Sequence, residues 1–166
     1  MDGNKLVKKA AAGDKQAFAA LYISCKDSLY RYAYYKLRSS EDAKDAVSAC
    51  ITQAYMGIAS IRDEKAFSSW LFRILYRECC AVIRKKAQIS FADIDENRYV
   101  VPDETYIRSE LSEALDSLGT EDRDIVLLSV VAGYSSQEIA QLFCMHPSTV
   151  RSRLSRALGK MRQFLE

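Results

Sequence analysis

SSQEIAQLFCMHPSTVRSRL, Ser135 to Leu154, decides the architecture of this 166-residue chain. A short run with apolar residues at helical spacing is followed by the turn-like tetrapeptide CMHP. A second helical stretch then opens at Pro147 or Ser148. Ala140 is small where two helices must approach closely. Ile139 and Leu142 are expected to face the preceding helix, and Val150 and Leu154 to anchor the last one. Ala157 or Leu158, then Met161 and Leu165, continue that inward stripe. Thr149, Arg151, Ser152, Arg153, Arg156 and Lys160 are left facing outward. Docked N-terminus first into a major groove, such a helix offers arginine forks to guanine O6 and N7 and to phosphates. Hydroxyls and free backbone N–H groups at its start suit phosphate oxygens. The same residues also fit the basic solvated face of an ordinary bundle, so the rest of the chain has to separate the two.

Immediately upstream, LSEALDSLG reads as a helix with Gly119 as its C-terminal stop. Thr120 begins TEDRDIVLLSVVAG, a helix N-terminus with acids in its first turn and an apolar run, Ile125–Val131, broken only by Ser129. The first half of the chain also reads as helices. GDKQAFAALYISCKDSLYRYAYYKL places Phe18, Leu21, Tyr22, Cys25, Leu29 and Tyr32 on one stripe. After RSSED, DAKDAVSACITQAYMGI carries Ala43, Ala46, Val47, Cys50, Ile51, Ala54, Tyr55 and Ile58 inward, with Ser40 as the expected N-cap. The polar connection ASIRDEKA leads to FSSWLFRILYRECCAVIRKK, where Leu71, Ile74, Leu75, Cys79 and Val82 face inward. Arg73, Arg77, Arg84, Lys85 and Lys86 face outward beside Trp70, Phe72 and Tyr76. From about Gln88 to Tyr106 periodicity is lost, acids accumulate and Pro102 intervenes, which reads as a linker.

Composition agrees. Two prolines and six glycines favour long helices over a turn-rich β architecture. Five cysteines, including the vicinal pair Cys79–Cys80, show no repeated C-x-x-C, which argues for buried thiols rather than disulfides or zinc. His146 is the single histidine, so no histidine metal site or catalytic relay is expected. No apolar run approaches the roughly 20 residues that cross a bilayer, and MDGNKLVKK does not read as a signal peptide. A cytoplasmic protein without membrane insertion or cofactor is expected. Charge is unevenly distributed: residues 1–88 carry net +7, 89–122 net −8 and 123–166 net +3. Two basic blocks flanking an acidic one suit a polyanion engaged at both ends.

EALDSLGTEDRDIVLLSVVAGYSSQEIAQLFCMHPSTVRSRLSRALGKMR resembles the C-terminal DNA-binding domain of bacterial sigma factors of the sigma-70 family. The extracytoplasmic-function (ECF) type, which keeps only two domains, is the nearest pattern. GDKQAFAALY, LYRYAYYKLRSSEDAKDAV and FSSWLFRIL resemble its N-terminal domain in the correct order. The expectation is therefore an all-α fold of two small helical domains. Residues 1–88 form a region 2-like domain, 89–108 a flexible acidic linker, and 109–166 a region 4-like helix-turn-helix domain.

The resemblance implies a transcription initiation factor without catalytic activity, with RNA polymerase core, promoter DNA and an anti-sigma factor as partners. The helix carrying EDAKDAV would dock on the β′ clamp helices through Asp42, Asp45, Ser48, Ala49 and Thr52; the β flap is the second expected polymerase contact. Arg62, Trp70, Arg73, Arg77, Arg84 and Lys85 would hold the opened −10 element. Unpaired strands need a basic track and aromatic faces for their bases, and this segment supplies both types. Contacts to the −35 element would fall on His146, Ser148, Arg151, Ser152 and Arg156, with Thr149 and Arg153 beside them for phosphates. The acidic linker would thread toward basic clefts of polymerase or serve as a solvated spacer.

Five positions depart from the family pattern. Ser48 and Ala49 stand where glutamine and an acid are usual, and Arg77 and Ala81 where asparagine and aspartate are usual. Cys144 replaces the usual turn glycine, and Gly159 sits inside the last helix at a cost of about 1 kcal/mol relative to alanine. Ser48 and Ala49 keep a second reading alive, a sigma-like DNA-binding regulator with weak or no core binding. An enzyme is disfavoured, since no clustered acid/base set, nucleophile motif, phosphate loop or metal spacing is present.

Overall fold

The structure, a computed structural model, describes residues 3–92 and 109–166, and the side chains of these except at positions 90–92. The regular elements of the described residues are all helical, and the chain divides into two compact units, Met1–Asp103 and Glu104–Glu166.

The first unit holds α1 (Gly3–Ala11), α2 (Lys15–Leu37), α3 (Ser40–Gly57), two 3-10 turns (Ile58–Ser60 and Glu64–Ala66) and α4 (Phe67–Ala92). Asp14 opens α2 by accepting the N–H groups of Gln16 and Ala17 at 2.9 and 3.1 Å, and Gly13 (φ 98°) makes the turn before it. Arg38 closes α2 in the left-handed region. The cap of α3 is Ser39, one residue before the expected Ser40: its hydroxyl accepts from the Asp42 N–H at 3.2 Å. Ser40 already lies inside the helix and pairs instead with the Tyr30 hydroxyl at 3.0 Å.

Three helices share the core. Leu29, Tyr32 and Ala33 of α2, Ala43, Cys50 and Ala54 of α3, and Leu75 and Cys79 of α4 are fully buried. The alanine face of α3 lets α2 and α4 approach it closely on either side. Phe72 joins this core with its ring edge-on to Tyr32 at 5.9 Å, and is therefore not an outward aromatic as its position beside the arginines suggested. Tyr22, Cys25, Ile51, Ile74 and Val82 are half-buried and Tyr55 is exposed, so the real stripes are narrower than their periodicity implied. α4 runs to Ala92, beyond the expected end of the N-terminal domain at 88; the remainder of the expected linker, 93–108, lies outside the described residues.

All five cysteines are free thiols, Cys50 and Cys79 buried and Cys144 exposed. Burial pushes the Cys25 thiol up to about 11 and that of Cys50 to about 12. Because the thiolate is the reactive form, both resist alkylation in the native state. Timed labelling with iodoacetamide at neutral pH, read by mass spectrometry, should modify Cys144 first, and Cys25 and Cys50 only on unfolding.

The second unit holds α5 (Glu110–Asp116), α6 (Thr120–Val130), α7 (Ser136–Phe143) and α8 (Pro147–Leu165). Ser109 caps α5, its hydroxyl accepting from the Ser112 N–H at 3.2 Å. Gly119 does not stop α5 in a left-handed turn: with φ −62° and ψ 156° it is extended, and it is the N-cap of α6. Arg123 closes α5 instead, its Nε donating to the Leu115 carbonyl at 3.0 Å. Ile125 to Leu128 of α6 are all buried, and α8 is the helix against which α5, α6 and α7 all pack. Its apolar run does not stay inward, since Val130 is exposed. Among the described residues no helix is long and apolar enough to cross a membrane.

Candidate nucleic-acid interface

The helix-turn-helix is fixed at three points, one at the start of α7 and two in the turn that leads to α8. Ser135 and Glu138 form a capping box, the serine hydroxyl accepting from the Glu138 N–H at 3.2 Å and the carboxylate accepting from the Ser135 N–H at 2.8 Å. Cys144 ends α7 in the left-handed region, φ 53° and ψ 43°, and the Met145 N–H reaches the Ala140 carbonyl at 3.0 Å. His146 caps α8: its Nδ1 accepts from the Ser148 N–H at 3.2 Å and lies 2.7 Å from the Ser148 hydroxyl, while Pro147 occupies the first helical position. His146 and Ser148 are exposed, but both are engaged in shaping the helix entry.

Val150, Ala157 and Met161 are the buried side of α8. Leu154 is half-buried, and Ala157 rather than Leu158 takes the inward position. Leu165 is exposed, so the expected inward stripe ends at Met161. Thr149, Arg151, Ser152, Arg156 and Lys160 are exposed, as the helical spacing predicts. Arg153 behaves differently from its neighbours. Its Nε donates to Asp122 Oδ1 at 2.7 Å, and a second guanidinium nitrogen bonds Glu121, both acids in the first turn of α6. Hydrogen bonds to Glu121 and Asp122 raise its already high affinity for the proton. Arg153 thus ties α8 to α6, and its guanidinium is committed to carboxylates rather than presented for a phosphate.

In the first unit Arg73, Arg77, Arg84 and Lys85 are exposed along α4, and Arg62 is exposed in the connection before it. Trp70 is half-buried. Its ring is tilted against Phe67 at 6.1 Å and lies over Gly57, where an added Cβ would meet it at 3.3 Å. Trp70 therefore belongs in part to the α3–α4 packing. On α3, Asp45, Ser48 and Thr52 are exposed and Ala49 half-buried, at the three- and four-residue steps that share a helix face. Asp42 is tied to Lys86 of α4 by an ion pair, and the Thr52 hydroxyl donates to the Ser48 carbonyl at 2.9 Å. No group of His, Cys, Asp and Glu suited to a metal ion occurs among the described residues.

Residues 21–89 match the family described as Sigma-70 region 2, and residues 108–161 the family described as Sigma-70, region 4. The chain is 30% identical to the RNA polymerase sigma factor SigV of Bacillus subtilis, over 89% of its own length and 93% of the relative's. It is 32% identical to the ECF RNA polymerase sigma factor SigM of Mycobacterium tuberculosis, over 97% of its length and 83% of the relative's. The chain belongs to the ECF sigma factors. It is a transcription initiation factor of the sigma-70 family. Its fold is similar to that of CnrH, solved in complex with the cytosolic domain of CnrY (TM-score 0.71, 22% identity, 98% of this chain and 96% of the other). It is likewise similar to the sigma factor RpoE of Bartonella quintana, solved with the anti-sigma factor NepR (TM-score 0.70, 23% identity, 89% and 96%).

In this sigma factor the sequence reading missed the α6 acids as the partners of Arg153. Sequence alone identifies Glu121 and Asp122 as acids in the first turn of a helix and does not join them to Arg153. It also missed His146 as a cap, because histidine is an uncommon residue there. Cys144 carries a testable cost. A β-carbon in the left-handed region is unfavourable by about 1 kcal/mol, so Cys144→Gly should raise the stability of the second unit by up to that amount. Urea unfolding of the two proteins measures it, and equal midpoints would remove strain at this turn from the account.

Proposed function

We infer that this sigma factor binds RNA polymerase core through the exposed face of α3 and directs it to promoters through two DNA-binding surfaces. α4 and the connection before it, with Arg62, Arg73, Arg77, Arg84 and Lys85, hold the opened −10 strand; Trp70 contributes its exposed edge. α8 reads the −35 duplex through Arg151, Ser152 and Arg156, with Thr149, His146 and Ser148 at its N-terminus beside the phosphates. Arg153 sets the angle of that helix. The β flap is the polymerase surface assigned to the second unit. The protein works in the cytoplasm and contributes no bond-making chemistry of its own. An anti-sigma factor restrains it, a reading supported by the anti-sigma complex of the RpoE relative.

The observation that carries promoter reading is the division of α8: one side buried at Val150, Ala157 and Met161, the other exposing Thr149, Arg151, Ser152, Arg156 and Lys160. Reconstitution with core polymerase, followed by mapping of transcript start sites, tests the whole reading. Starts unchanged from those of core alone would defeat it.

The α3 assignment has its own test. Ser48 and Ala49 sit on the proposed docking face but carry little polar reach. Ser48→Gln with Ala49→Glu restores side chains that can hydrogen-bond a polymerase surface, each new bond contributing about 0.5–1.5 kcal/mol. Competition against another sigma factor for core should show the double variant binding several-fold more tightly. Identical competition curves would move the docking surface off this face.

A further inference from the structure

The last turns of α2 are not used by the surfaces described above. Residues 28–40 hold four tyrosines and three cations, Arg31, Lys36 and Arg38, with no acid among them. Tyr32 is buried and serves the core, whereas Tyr30, Tyr34 and Tyr35 are half-exposed. Their rings form a continuous track. Tyr30 and Tyr34, one helical turn apart, stack with centroids 5.9 Å apart and planes 25° apart. Tyr35 meets Tyr34 edge-on at 5.7 Å. The Tyr30 hydroxyl, 3.0 Å from Ser40 Oγ, fixes one end of the track to α3. Arg31 is exposed on the same stretch of helix.

Lys36 is not part of the track: it is buried on the core side of α2, with its Nζ 5.0 Å over the ring of Tyr76 on α4. Preorganised aromatic rings among cations, without acids, match the chemistry that binds unpaired nucleic acid: bases stack on the rings while phosphates meet the guanidinium groups. Paired bases hide their faces, so a duplex gains nothing from the rings. We propose that Tyr30, Tyr34 and Tyr35, with the exposed Arg31 beside them, form a second single-stranded DNA-binding surface. It goes beyond the reading that α4 holds an opened strand and stands on the tyrosine rings and Arg31 independently of it.

The test uses the full chain bound to polymerase core, titrated with a labelled mixed-sequence single-stranded DNA and with the matching duplex. Tyr34→Ala with Tyr35→Ala should weaken single-strand binding by roughly 5- to 150-fold, the range for losing one stacked base, and leave duplex binding unchanged. Tyr34→Phe with Tyr35→Phe keeps the rings and should bind like the unsubstituted protein. Unchanged single-strand binding in the double-alanine protein, with a loss in Arg77→Ala, overturns the track and leaves the α4 reading standing. The reverse result supports the track and counts against α4. Equal losses on single strand and duplex also overturn the proposal. Should the double-alanine protein unfold, photocrosslinking of the unsubstituted protein to an iodouracil-substituted strand replaces it. Adducts on Tyr34 or Tyr35 support the track, and adducts confined to α4 overturn it.

Discussion

Arg151→Ala is expected to cost about 1–3 kcal/mol of binding to the preferred −35 duplex and to relax the base preference at one position of that element. Arg151 is exposed one residue after Val150, which is fully buried, so the packing that seats α8 does not depend on the arginine. The loss should therefore appear as specificity rather than as unfolding. Selection from a randomised duplex pool, with the unfolding midpoint measured alongside, reads both quantities. An unchanged consensus would remove Arg151 from base reading. Arg153→Ala provides the contrast. Its guanidinium bonds Glu121 and Asp122, so truncation frees two carboxylates near the base of α8 and loosens the helix. Because Glu121 is about half exposed, the stability lost is about 1 kcal/mol or less after solvent screening. Binding should weaken on all sequences alike, without a change in consensus.

That contrast also shows where sequence reading reaches its end. Periodicity finds the buried side of a helix, and it found Val150 and Met161 on α8 and the alanine face of α3. It identifies outward residues only by elimination, so Arg151 and Arg153 look alike until their neighbours in space are known. Asp122 lies 31 positions from Arg153, and no local pattern joins the two. Phe72 failed for a related reason: it sits beside Arg73 in sequence, yet a step of one residue along a helix turns by about 100°, enough to bury one and expose the other. Caps were legible to within a residue. Ser39 and Ser40 both carry a hydroxyl, and only backbone geometry decides which one accepts the Asp42 N–H. The two-unit layout was legible because charge and periodicity change together near residue 88, although α4 continues to Ala92.

Ile139→Ala should have the largest effect on stability of any single change in the second unit considered above. Ile139 is fully buried on α7, next to Ala140, where α7 meets α6 and α8. Truncating such a residue costs about 2–5 kcal/mol through lost transfer energy and the cavity left behind. The unit spans Glu104–Glu166, and a domain of that size has roughly 3–9 kcal/mol of total stability. The substitution therefore removes about a fifth or more of what holds the helix-turn-helix together, and where the total lies at the lower end of that range a substantial fraction of molecules has an unfolded second unit at 37 °C. The first unit has its own core, with Leu29, Tyr32 and Leu75 fully buried, and should unfold at an unchanged temperature. Calorimetry should show one transition moving down and one standing still. Binding to −35 duplex should fall in proportion to the unfolded fraction and recover on cooling toward 20 °C, whereas Arg151→Ala should stay impaired at every temperature. A single transition that shifts as a whole would mean the two units unfold together, and the separation of promoter reading from core docking would then have to be given up.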